Sequence, residues 1–492
     1  MDKVKLIIQT LANTVWGWPE FFPLMVLILL GSGIYITFRL KWIQLFKVWH
    51  SIDAVRGKFN DPHDPGDITH FQTISAVLSA TVGIGNIAGV ATAIYYGGPG
   101  ALFWMWITAI FGMALKYAEA TLAVRYRIIS PNGAASGGPM YYIEKGLGAK
   151  WKPLALAFAA FAVISSMGTG NSIQAFTCAD QILSEFKLAL PAASPALIPV
   201  NFIGINVEPV RIATGIFLAV AVALVILGGI QRIGRVTSYL SPIMALIYFI
   251  AGMIILTINW RHILPTLAVI FSEAFKPRAE LVGFTGGGFL LFLNTMIWGV
   301  KRGLFSNEAG QGSAPIGHAA SKTREPAREG TVSMLGPLID TLIICSITGL
   351  VIVSTNAHEV IINGSRMNSS PLTAYAFKVG LASIIPWGDK IVTLSVFLFA
   401  ISTAISWSYY GDRAAEYLFG PRAILPYKWV YVLFHFIGAI VPLEVVWGFG
   451  DVALGLMAVP NLIAVVLLSG QVAKITKDYF SRDAQWRVKA RG

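Results

Sequence analysis

Long apolar runs divide this chain of 492 residues into segments of the length that a membrane demands. A helix needs about 20 mostly apolar residues to cross the hydrocarbon core of a bilayer. Only 13% of the residues are charged, whereas soluble domains carry roughly 25%. We therefore predict an all-α integral membrane protein with about 11 transmembrane helices. Their predicted limits are 20–40, 71–96, 98–124, 153–182, 209–230, 236–258, 286–320, 334–354, 388–410, 427–445 and 450–470.

Two segments between these runs are more polar. We predict that 260–275 forms an interfacial helix and that 358–383 is a polar loop carrying a short helix. The two cysteines, Cys178 and Cys345, both lie in apolar surroundings, which indicates neither a disulfide framework nor a zinc site.

The positively charged residues predict which side of the membrane each loop faces, because cytoplasmic loops are enriched in Lys and Arg. Most of these residues follow the odd-numbered predicted spans: Arg39, Lys41, Lys47, Arg56, Lys58, Arg125, Arg127, Lys145, Lys150, Lys152, Arg232, Arg235, Lys322, Arg324, Arg328, Arg413, Arg422, Lys428 and the C-terminal tail. The N-terminus is therefore predicted outside and the C-terminus in the cytoplasm, in agreement with an odd number of spans. The net charge of +12 has the same origin, so no nucleic-acid partner is expected.

The second predicted span contains a stretch that disfavours a continuous helix, SATVGIGNIAG (Ser79–Gly89). Each glycine costs a helix interior about 1 kcal/mol relative to alanine, and non-helical backbone at this depth must be buried in protein or line a wet cavity. In secondary transporters such breaks bind substrate and coupling ion. A helix-packing surface is the alternative, since Gly85 and Gly89 form a GxxxG pair. The polar Thr81 and Asn86 at the same depth favour a binding site.

The seventh predicted span, 286–320, contains a second candidate break. As one straight helix its 35 residues would be about 52 Å long, more than a bilayer needs. It also holds Lys301, Arg302, Asn307 and Glu308, and charged groups at bilayer depth are functional candidates. A re-entrant or cytoplasmic loop is the alternative. On the third span, Lys116 and Glu119 are spaced i and i+3 and are expected to form a structural ion pair.

The positions of the two breaks predict an internal repeat. When the first span is set aside, the breaks fall in core helices 1 and 6, which are corresponding positions in two five-helix halves, as in an inverted repeat. We therefore predict four parts: an N-terminal amphipathic segment, peripheral helix and cytoplasmic loop (1–70), a first repeat (71–258), a second repeat with its preceding extracellular segment (259–470) and a cytoplasmic tail (471–492).

Three sequence blocks resemble signatures of the alanine/glycine:cation symporter family, also called the sodium:alanine symporters. They are Val82–Arg127, which begins VGIGNIAGVATAIYYGGPG, Gly168–Asp180 (GTGNSIQAFTCAD) and Arg302–Pro326 (RGLFSNEAGQGSAPIGHAASKTREP). The resemblance extends over essentially the whole chain. It implies the LeuT-type fold of the amino acid-polyamine-organocation superfamily, with a 5+5 inverted repeat, one extra N-terminal helix and discontinuous core helices 1 and 6.

The resemblance also implies a substrate site. ATVGIGN (80–86) is similar to the unwound core helix 1 of the LeuT-type fold, so the backbone of Gly83 and Gly85 is expected to meet a substrate carboxylate, with Thr81 and Asn86 nearby. The other substrate residues that we expect are Gln174 on core helix 3, Trp298 and Asn307 on core helix 6, and Trp407 on core helix 8. For Gln174, with Asn171 one turn away, polar cross-helix bonding is the alternative.

The sodium site implied by the same resemblance lies between core helices 1 and 8. Its expected ligands are the carbonyls of Ser79, Val82 and Ala400 and the hydroxyl of Thr403. A second hydroxyl often found beside the last of these is replaced by Ala404, which leaves Ser402 or water as substitutes. For Thr403 the alternative role is a hydrogen bond to the preceding helical turn.

The function that the sequence predicts is a sodium-coupled symporter importing small neutral amino acids, alanine and glycine, by alternating access. Na⁺ is the co-transported ion, and no organic cofactor is expected. Glutamine or serine as substrate, or H⁺ as the coupling ion, remain open alternatives. A membrane-embedded enzyme would need a convergent acid, base or metal cluster, which the scattered carboxylates do not form, and a channel would need a pore ring. We expect a multi-pass protein of the plasma membrane, most simply a bacterial inner membrane. The oligomeric state is open, and a monomer is compatible with the sequence.

Overall fold

The computed structural model describes residues 2–19, 23–129, 135–191, 193–276, 288–362 and 364–489. The first residues of two predicted spans, 20–22 and 286–287, and the last of the predicted tail, 490–492, lie outside the described residues. The described chain is mostly helical, with three two-stranded antiparallel hairpins.

The helices are α1 (Asp2–Gly17), α2 (Leu24–Arg39), α3 (Ile43–Phe46), α4 (Val48–Val55), α5 (His70–Thr81), α6 (Val90–Gly97), α7 (Ala101–Tyr126), α8 (Pro139–Leu147), α9 (Lys152–Met167), α10 (Ile173–Ala189), α11 (Pro209–Ile226), α12 (Gly229–Ile258), α13 (Trp260–Glu273), α14 (Gly288–Asn307), α15 (Ala314–His318), α16 (Pro326–Pro337), α17 (Ser346–Ser354), α18 (Ser369–Leu381), α19 (Gly388–Phe419), α20 (Ile424–Ile440), α21 (Leu443–Leu467) and α22 (Ser469–Lys489). Wider π-helical turns, Gly85–Gly89, Gly168–Ser172 and Leu338–Cys345, lead into α6, α10 and α17. The hairpins pair β1 (Ile128–Ile129) with β2 (Ala135–Ser136), β3 (Val200–Phe202) with β4 (Ile205–Val207), and β5 (Ile361–Ile362) with β6 (Ser365–Arg366).

Eight helices of the described chain are long and apolar enough to cross a membrane, or up to nine if the bent pair His70–Thr81 and Gly85–Gly97 is one span. Leu24–Arg39 is a shorter apolar helix. Each of the eleven predicted spans overlaps a helix, while the count of eleven crossings stays a prediction. The segment predicted to be interfacial contains α13, and the predicted polar loop 358–383 contains β5, β6 and α18.

The first half of the bent pair has a clear start and a clear end. Thr69 caps α5: its hydroxyl accepts the Gln72 backbone N–H and the Gln72 side chain accepts the Thr69 N–H, which is a capping box. The helix ends at Thr81, since Val82 takes an extended conformation with ψ of 90°. The chain resumes as a helix at Gly85 after a bend of 48°.

Helix α14 stops just as sharply at its C-terminal end. Glu308 has a positive φ of 56°, and Gly310 and Gly312 follow with φ of 82° and 86°. Glycine adopts this left-handed region without steric cost, so GQG in the sequence permits the non-helical stretch that separates α14 from the short helix α15.

Small residues allow the helices around these two breaks to pack closely. A methyl group added at Gly299 of α14 would lie 2.4 Å from the Ala101 carbonyl oxygen of α7, and one added at Gly330 of α16 would lie 2.3 Å from the Thr121 hydroxyl oxygen of α7. The amphipathic helix α1 packs in the same way on α21, where Gly448 faces Ile8. Helix α7 therefore lies between the second broken segment and α16.

Candidate binding site at the two helix breaks

The bend after α5 is held by the side chain of Asn86. Its Oδ1 accepts the Gly83 backbone N–H at 2.7 Å, which folds the chain back across the break. Its Nδ2 donates to Asp340 Oδ1 at 2.6 Å and to the Asp340 carbonyl at 3.1 Å. Asn86 is fully buried, so its amide both satisfies the broken backbone and links it to the turn 338–345.

Helix α19 meets the break at Thr403. The Thr403 hydroxyl donates to the Ser79 carbonyl oxygen at 3.1 Å, and a methyl group added at Gly83 would lie 2.4 Å from the same hydroxyl oxygen. Val82 directly follows α5, and Ala400 lies one turn before Thr403; both are buried. The structure thus brings the hydroxyl of Thr403 and the carbonyl of Ser79 together at the predicted sodium site.

A second hydroxyl of α19, that of Ser402, also contacts Ser79. Its Oγ lies 3.4 Å from the Ser79 carbonyl oxygen and is hydrogen-bonded to the Ser79 hydroxyl. The Ser402 hydroxyl therefore lies beside the Ser79 carbonyl of the predicted sodium site.

Gln174 faces the same point from α10. Its Nε2 donates to the Thr169 carbonyl at 3.0 Å, while its Oε1 is buried and has no hydrogen-bond partner among the described residues. This oxygen would lie 3.6 Å from a methyl group on Gly83. Asn171, one turn earlier, instead donates to the Tyr431 carbonyl at 2.7 Å and pairs with His435. The cross-helix role therefore belongs to Asn171, and Gln174 is left with an open acceptor.

Trp407 connects α19 to the second break. Its indole N–H donates to Glu308 Oε1 at 2.8 Å, and the other carboxylate oxygen accepts the Ser313 hydroxyl at 2.6 Å. The ring covers Gly170, where an added methyl would lie 2.1 Å from the ring Cγ. With 1% of its surface exposed, Trp407 forms a buried wall between the turn Gly168–Ser172 and the 308–313 segment.

The two breaks contact each other through residues that the sequence did not single out as ligands. A methyl group at Gly85 would lie 3.1 Å from Phe305 Cδ1 and 3.1 Å from Ser306 Cα. Asp340, which is fully buried, accepts hydrogen bonds from Ser306 Oγ at 2.7 Å and Thr341 Oγ1 at 2.6 Å, besides the one from Asn86. The only feature of the sequence that pointed to Asp340 was its position as a single acidic residue within an apolar run.

Two predicted substrate residues are engaged locally. The Thr81 hydroxyl donates to the Val77 carbonyl of its own helix at 3.1 Å. Asn307 Nδ2 donates to Thr341 Oγ1 at 3.2 Å, and its Oδ1 accepts the Ala309 N–H at 3.0 Å. Asn307 therefore stabilises the end of α14 against the turn that carries Asp340.

Trp298 lies apart from this cluster. Its ring stacks on Tyr96 with centroids 4.4 Å apart, and the charged groups of Lys301 and Arg302 lie 4.9 Å and 5.3 Å from it. Trp298 lines a cavity together with Tyr96 and Arg302, and Gly83, Gln174 and Trp407 do not line this cavity.

The prediction that Lys116 and Glu119 form an ion pair with each other is wrong. The Lys116 ammonium group is buried and has no hydrogen-bond partner among the described residues, and Glu119 instead accepts from the Asn461 side chain. The 308–313 segment packs on the face of α7 that carries Lys116 and Glu119. This packing brings the Glu308 carboxylate toward Lys116.

Comparison with known proteins agrees with this architecture. Residues 1–490 match the model of the family described as the sodium:alanine symporter family. The chain is 43% identical over 482 residues to the sodium/alanine symporter AgcS of Methanococcus maripaludis, covering 97% of this chain and 98% of that protein. It is 32% identical over 461 residues to a protein named probable sodium/glutamine symporter GlnT of Bacillus subtilis, covering 93% and 87% of the two chains.

The solved structures add evidence on the fold. The crystal structure of MhsT in complex with L-phenylalanine superposes with a TM-score of 0.55 and 14% sequence identity, covering 84% of this chain and 98% of that chain. MhsT has the LeuT-type fold. At this low identity the likeness concerns the fold alone.

Proposed function

Because the chain belongs to the sodium:alanine symporter family, we propose that it imports small neutral amino acids, alanine and glycine, together with Na⁺ by alternating access. The carrying observation is the convergence of Gly83, Thr403 and Gln174, which come from three separate parts of the chain. This buried point combines the helix break at Gly83, the Thr403 hydroxyl and the unpartnered amide oxygen of Gln174. These groups are suited to binding a small polar ligand and an ion.

The open acceptor of Gln174 supports a substrate rather than a purely structural role. A buried polar atom without a partner costs about 1–3 kcal/mol, and the Gln174 Oε1 has none among the described residues. An α-ammonium group supplies donors to such an oxygen. We infer that the substrate lies between Gln174 and the Gly83–Gly85 backbone, with Trp407 as the wall that limits its side chain.

The substrate carboxylate would have to compete for the backbone of the break. The Gly83 N–H is held by Asn86 Oδ1 at 2.7 Å, so we infer that Asn86 turns away, or shares this donor, when substrate binds. Thr81 and Asn307 would support the pocket through their helix ends, and Phe305 would close it above Gly85. Trp298 belongs to the approach to the pocket in this proposal.

We propose that Na⁺ is bound by the carbonyls of Ser79, Val82 and Ala400 with the hydroxyl of Thr403, and that Ser402 supplies a further hydroxyl. Carbonyls freed by an unwound helix are suitable Na⁺ ligands. Since the Thr403 hydroxyl also lies against Gly83, an ion there would change the same bend that the substrate contacts. Reciprocal coupling between the two affinities follows.

The architecture that accompanies this mechanism is also a proposal. It has eleven crossings, with an extra first helix and two inverted repeats at 71–258 and 259–470, and core helices 1 and 6 discontinuous at the two breaks. Residues 1–70 and 471–492 flank the repeats. The N-terminus faces outward and the tail faces the cytoplasm of a bacterial plasma membrane.

Uptake by the purified chain in proteoliposomes tests the function. With an inward Na⁺ gradient, labelled alanine should accumulate above its equilibrium level, and choline or Li⁺ in place of Na⁺ should abolish or weaken this. Glycine should compete and leucine should not. Competition by glutamine as strong as that by glycine would favour the glutamine alternative, and accumulation driven by a pH gradient without Na⁺ would favour proton coupling. Absence of any ion-driven accumulation would contradict the proposal.

A further inference from the structure

A carboxylate between two imidazole rings lies at the ends of three helices, away from the candidate binding site. Glu329, in the first turn of α16, is hydrogen-bonded to His70 Nδ1 at 2.5 Å and to His318 Nδ1 at 2.6 Å. His70 is the first residue of α5 and His318 is the last residue of α15. The Ser321 hydroxyl donates to the same carboxylate at 2.7 Å. These four residues, the Glu329 cluster, therefore join the ends of α5, α15 and α16.

The Glu329 cluster is enclosed by protein, and all four of its residues are 0% exposed. An ionised carboxylate only accepts hydrogen bonds, so each Nδ1 atom carries a hydrogen that it donates to Glu329. The Nε2 atoms of His70 and His318 have no hydrogen-bond partner among the described residues. In the same part of the chain, no group of His, Cys, Asp and Glu side chains is arranged to hold a metal ion. A proton is the ligand that an imidazole nitrogen takes without any further group.

The charge of the cluster also favours one proton. Arg127 interacts electrostatically with Glu329 and equally faces Asp64 and Asp67, and its four hydrogen bonds go to main-chain carbonyls. Within the described chain, the hydrogen-bond donors to the Glu329 carboxylate are the two imidazole rings and Ser321. Buried charges are normally paired. One proton on an Nε2 atom forms an imidazolium ion, which balances the carboxylate.

The elements packed around the cluster bring other titratable or charged groups near it. Lys116 of α7 interacts electrostatically with His318, which opposes a second proton. Tyr410 of α19 is also near, because a methyl group added at Gly317 would lie 3.4 Å from its hydroxyl oxygen. On α4 and α12 the groups are bonded elsewhere or exposed: His50 with Tyr479, Asp53 with Lys58, and Arg232 and Arg235.

The cluster lies where two chain segments are joined by their backbones. The Ile68 N–H donates to the Ala320 carbonyl at 3.2 Å, and the Lys322 N–H donates to the Ile68 carbonyl at 2.8 Å. These bonds must break if the ends of α5 and α15 separate. Their amide hydrogens therefore report whether the two ends are joined.

We propose that the Glu329 cluster is a binding site for one proton, and that the bound proton holds the ends of α5, α15 and α16 together. A hydrogen bond from an imidazolium ion to a carboxylate is stronger than one from a neutral imidazole. Separation of the ends exposes the cluster to water and removes the carboxylate partner, so the proton is then held less tightly. By linkage, a lower pH favours the joined arrangement. Because these ends are predicted to face the cytoplasm, acidification there slows opening on that side.

Amide hydrogen exchange of the full-length protein in detergent, measured by mass spectrometry, tests the proton site without any need for transport. After correction for the intrinsic effect of pH on amide exchange, residues 64–69 and 319–323 should exchange about tenfold more slowly at about pH 6 than at about pH 8. The double variant His70→Gln, His318→Gln keeps amide donors for the carboxylate but does not take up a proton, so this difference should disappear. Equal corrected rates at the two pH values in the natural chain would overturn the proposal.

His63→Gln is the matched control, because the His63 side chain is 89% exposed and contacts Asp61 rather than the cluster. This variant should keep the full pH effect. If the double variant does not fold, Glu329→Gln replaces it: the amide oxygen still accepts a hydrogen bond, but without a negative charge it should reduce the pH effect to under about twofold. A pH effect that persists in these cluster variants would mean that another group takes the proton, and it would overturn the site.

Uptake into right-side-out membrane vesicles tests the consequence for transport. With the outside pH fixed, Na⁺-driven alanine uptake should slow as the vesicle interior is acidified from about pH 8 to about pH 6, and it should not slow in the double variant. Uptake that is equally fast at both internal pH values would overturn the role of the proton in opening. A failure of the proposed function is distinct, since it would abolish uptake at every internal pH and leave the pH effect on exchange in place.

Discussion

Thr403 is the residue at which the proposed ion site and the first break meet, through the Ser79 carbonyl and Gly83. We expect Thr403→Val to raise the Na⁺ concentration for half-maximal alanine uptake about tenfold, because the shape is kept and one oxygen ligand is lost, at a cost of about 1–1.5 kcal/mol. Saturating Na⁺ should restore much of the rate. Thr403→Ser keeps the hydroxyl and should shift the Na⁺ dependence far less. An unshifted Na⁺ dependence in Thr403→Val would move the ion to the region between Asn86 and Asn307.

Gly83 gives a second prediction at the scale of single residues. An added methyl would lie 2.4 Å from the Thr403 hydroxyl oxygen, so Gly83→Ala must push α5 and α19 apart or displace that hydroxyl. We expect alanine uptake to fall more than tenfold, since a displacement of 1 Å at a binding site can cost two orders of magnitude. Gly89→Ala is the matched control: its methyl would meet Phe305 at 3.9 Å, an ordinary contact. Equal loss in the two variants would show a general helix defect rather than a specific collision.

Some residues of the candidate site were predicted from the sequence and others were not. The resemblance to a known family implied Gln174, Gly83 and Thr403, and the structure brings these three residues together. Phe305 and Asp340 were not assigned to the site. Nothing local distinguishes a phenylalanine that covers Gly85 from one that faces lipid, because that depends on which helix crosses the break.

At the scale of elements, nearby residues determine where the helix breaks after α5, whereas a residue far away in the chain stabilises the bend. Its position follows from glycines and a capping box within twenty residues, and these are readable in sequence. Its bend is held by the hydrogen bond from Asn86 to Asp340, which is 254 positions away. Helical periodicity assigns a residue to a face of its own helix but does not identify the helix opposite. The wrong pairing of Lys116 with Glu119 has the same cause.

A prediction at this scale concerns the segments that meet at the end of α7, which is predicted to face the cytoplasm. Arg127, at the end of α7, donates to the carbonyls of Ala319 at 2.7 Å and Ser321 at 2.6 Å with one nitrogen, and to those of Pro65 at 2.8 Å and Thr323 at 2.6 Å with the other. It therefore ties the strand-like segment before α5 to the segment after α15.

Arg127→Lys should loosen this closure, because a single ammonium group cannot reach four carbonyls in the fork geometry of a guanidinium group. We expect amide hydrogen exchange in 64–69 and 319–323, measured by mass spectrometry, to become roughly tenfold faster, as for the loss of one or two partly buried hydrogen bonds. Arg125→Lys, at an exposed position two residues earlier, is the control and should leave exchange unchanged. The same exchange rate in both variants would show that Arg127 does not hold the two segments together.

At the scale of the whole molecule, the features that could be predicted are mostly those that the lipid bilayer requires. Length and hydropathy placed a helix under each of the eleven predicted spans, because lipid requires every backbone group to be satisfied within its own segment. Parts in contact with water are less constrained. The hairpin of Ile361–Ile362 with Ser365–Arg366 and the docking of α1 on α21 were not foreseen. The hairpin pairs neighbouring residues, whereas the docking of α1 brings Ile8 against Gly448, which lies far away in the chain.

The number and direction of the crossings give the last prediction. Cys178 and Cys345 are both fully buried, so the natural chain should react little with a membrane-impermeant maleimide, and single exposed cysteines can report their side. With eleven crossings, eight predicted spans separate Thr14 from Ser365 and three separate Ser365 from Ser481. Thr14→Cys and Ser365→Cys should therefore be labelled in intact cells, and Ser481→Cys only after permeabilisation. Because positive charge is retained in the cytoplasm, the reverse pattern would contradict the charge argument, whereas labelling of Ser365→Cys and Ser481→Cys from the same side would contradict the number of crossings.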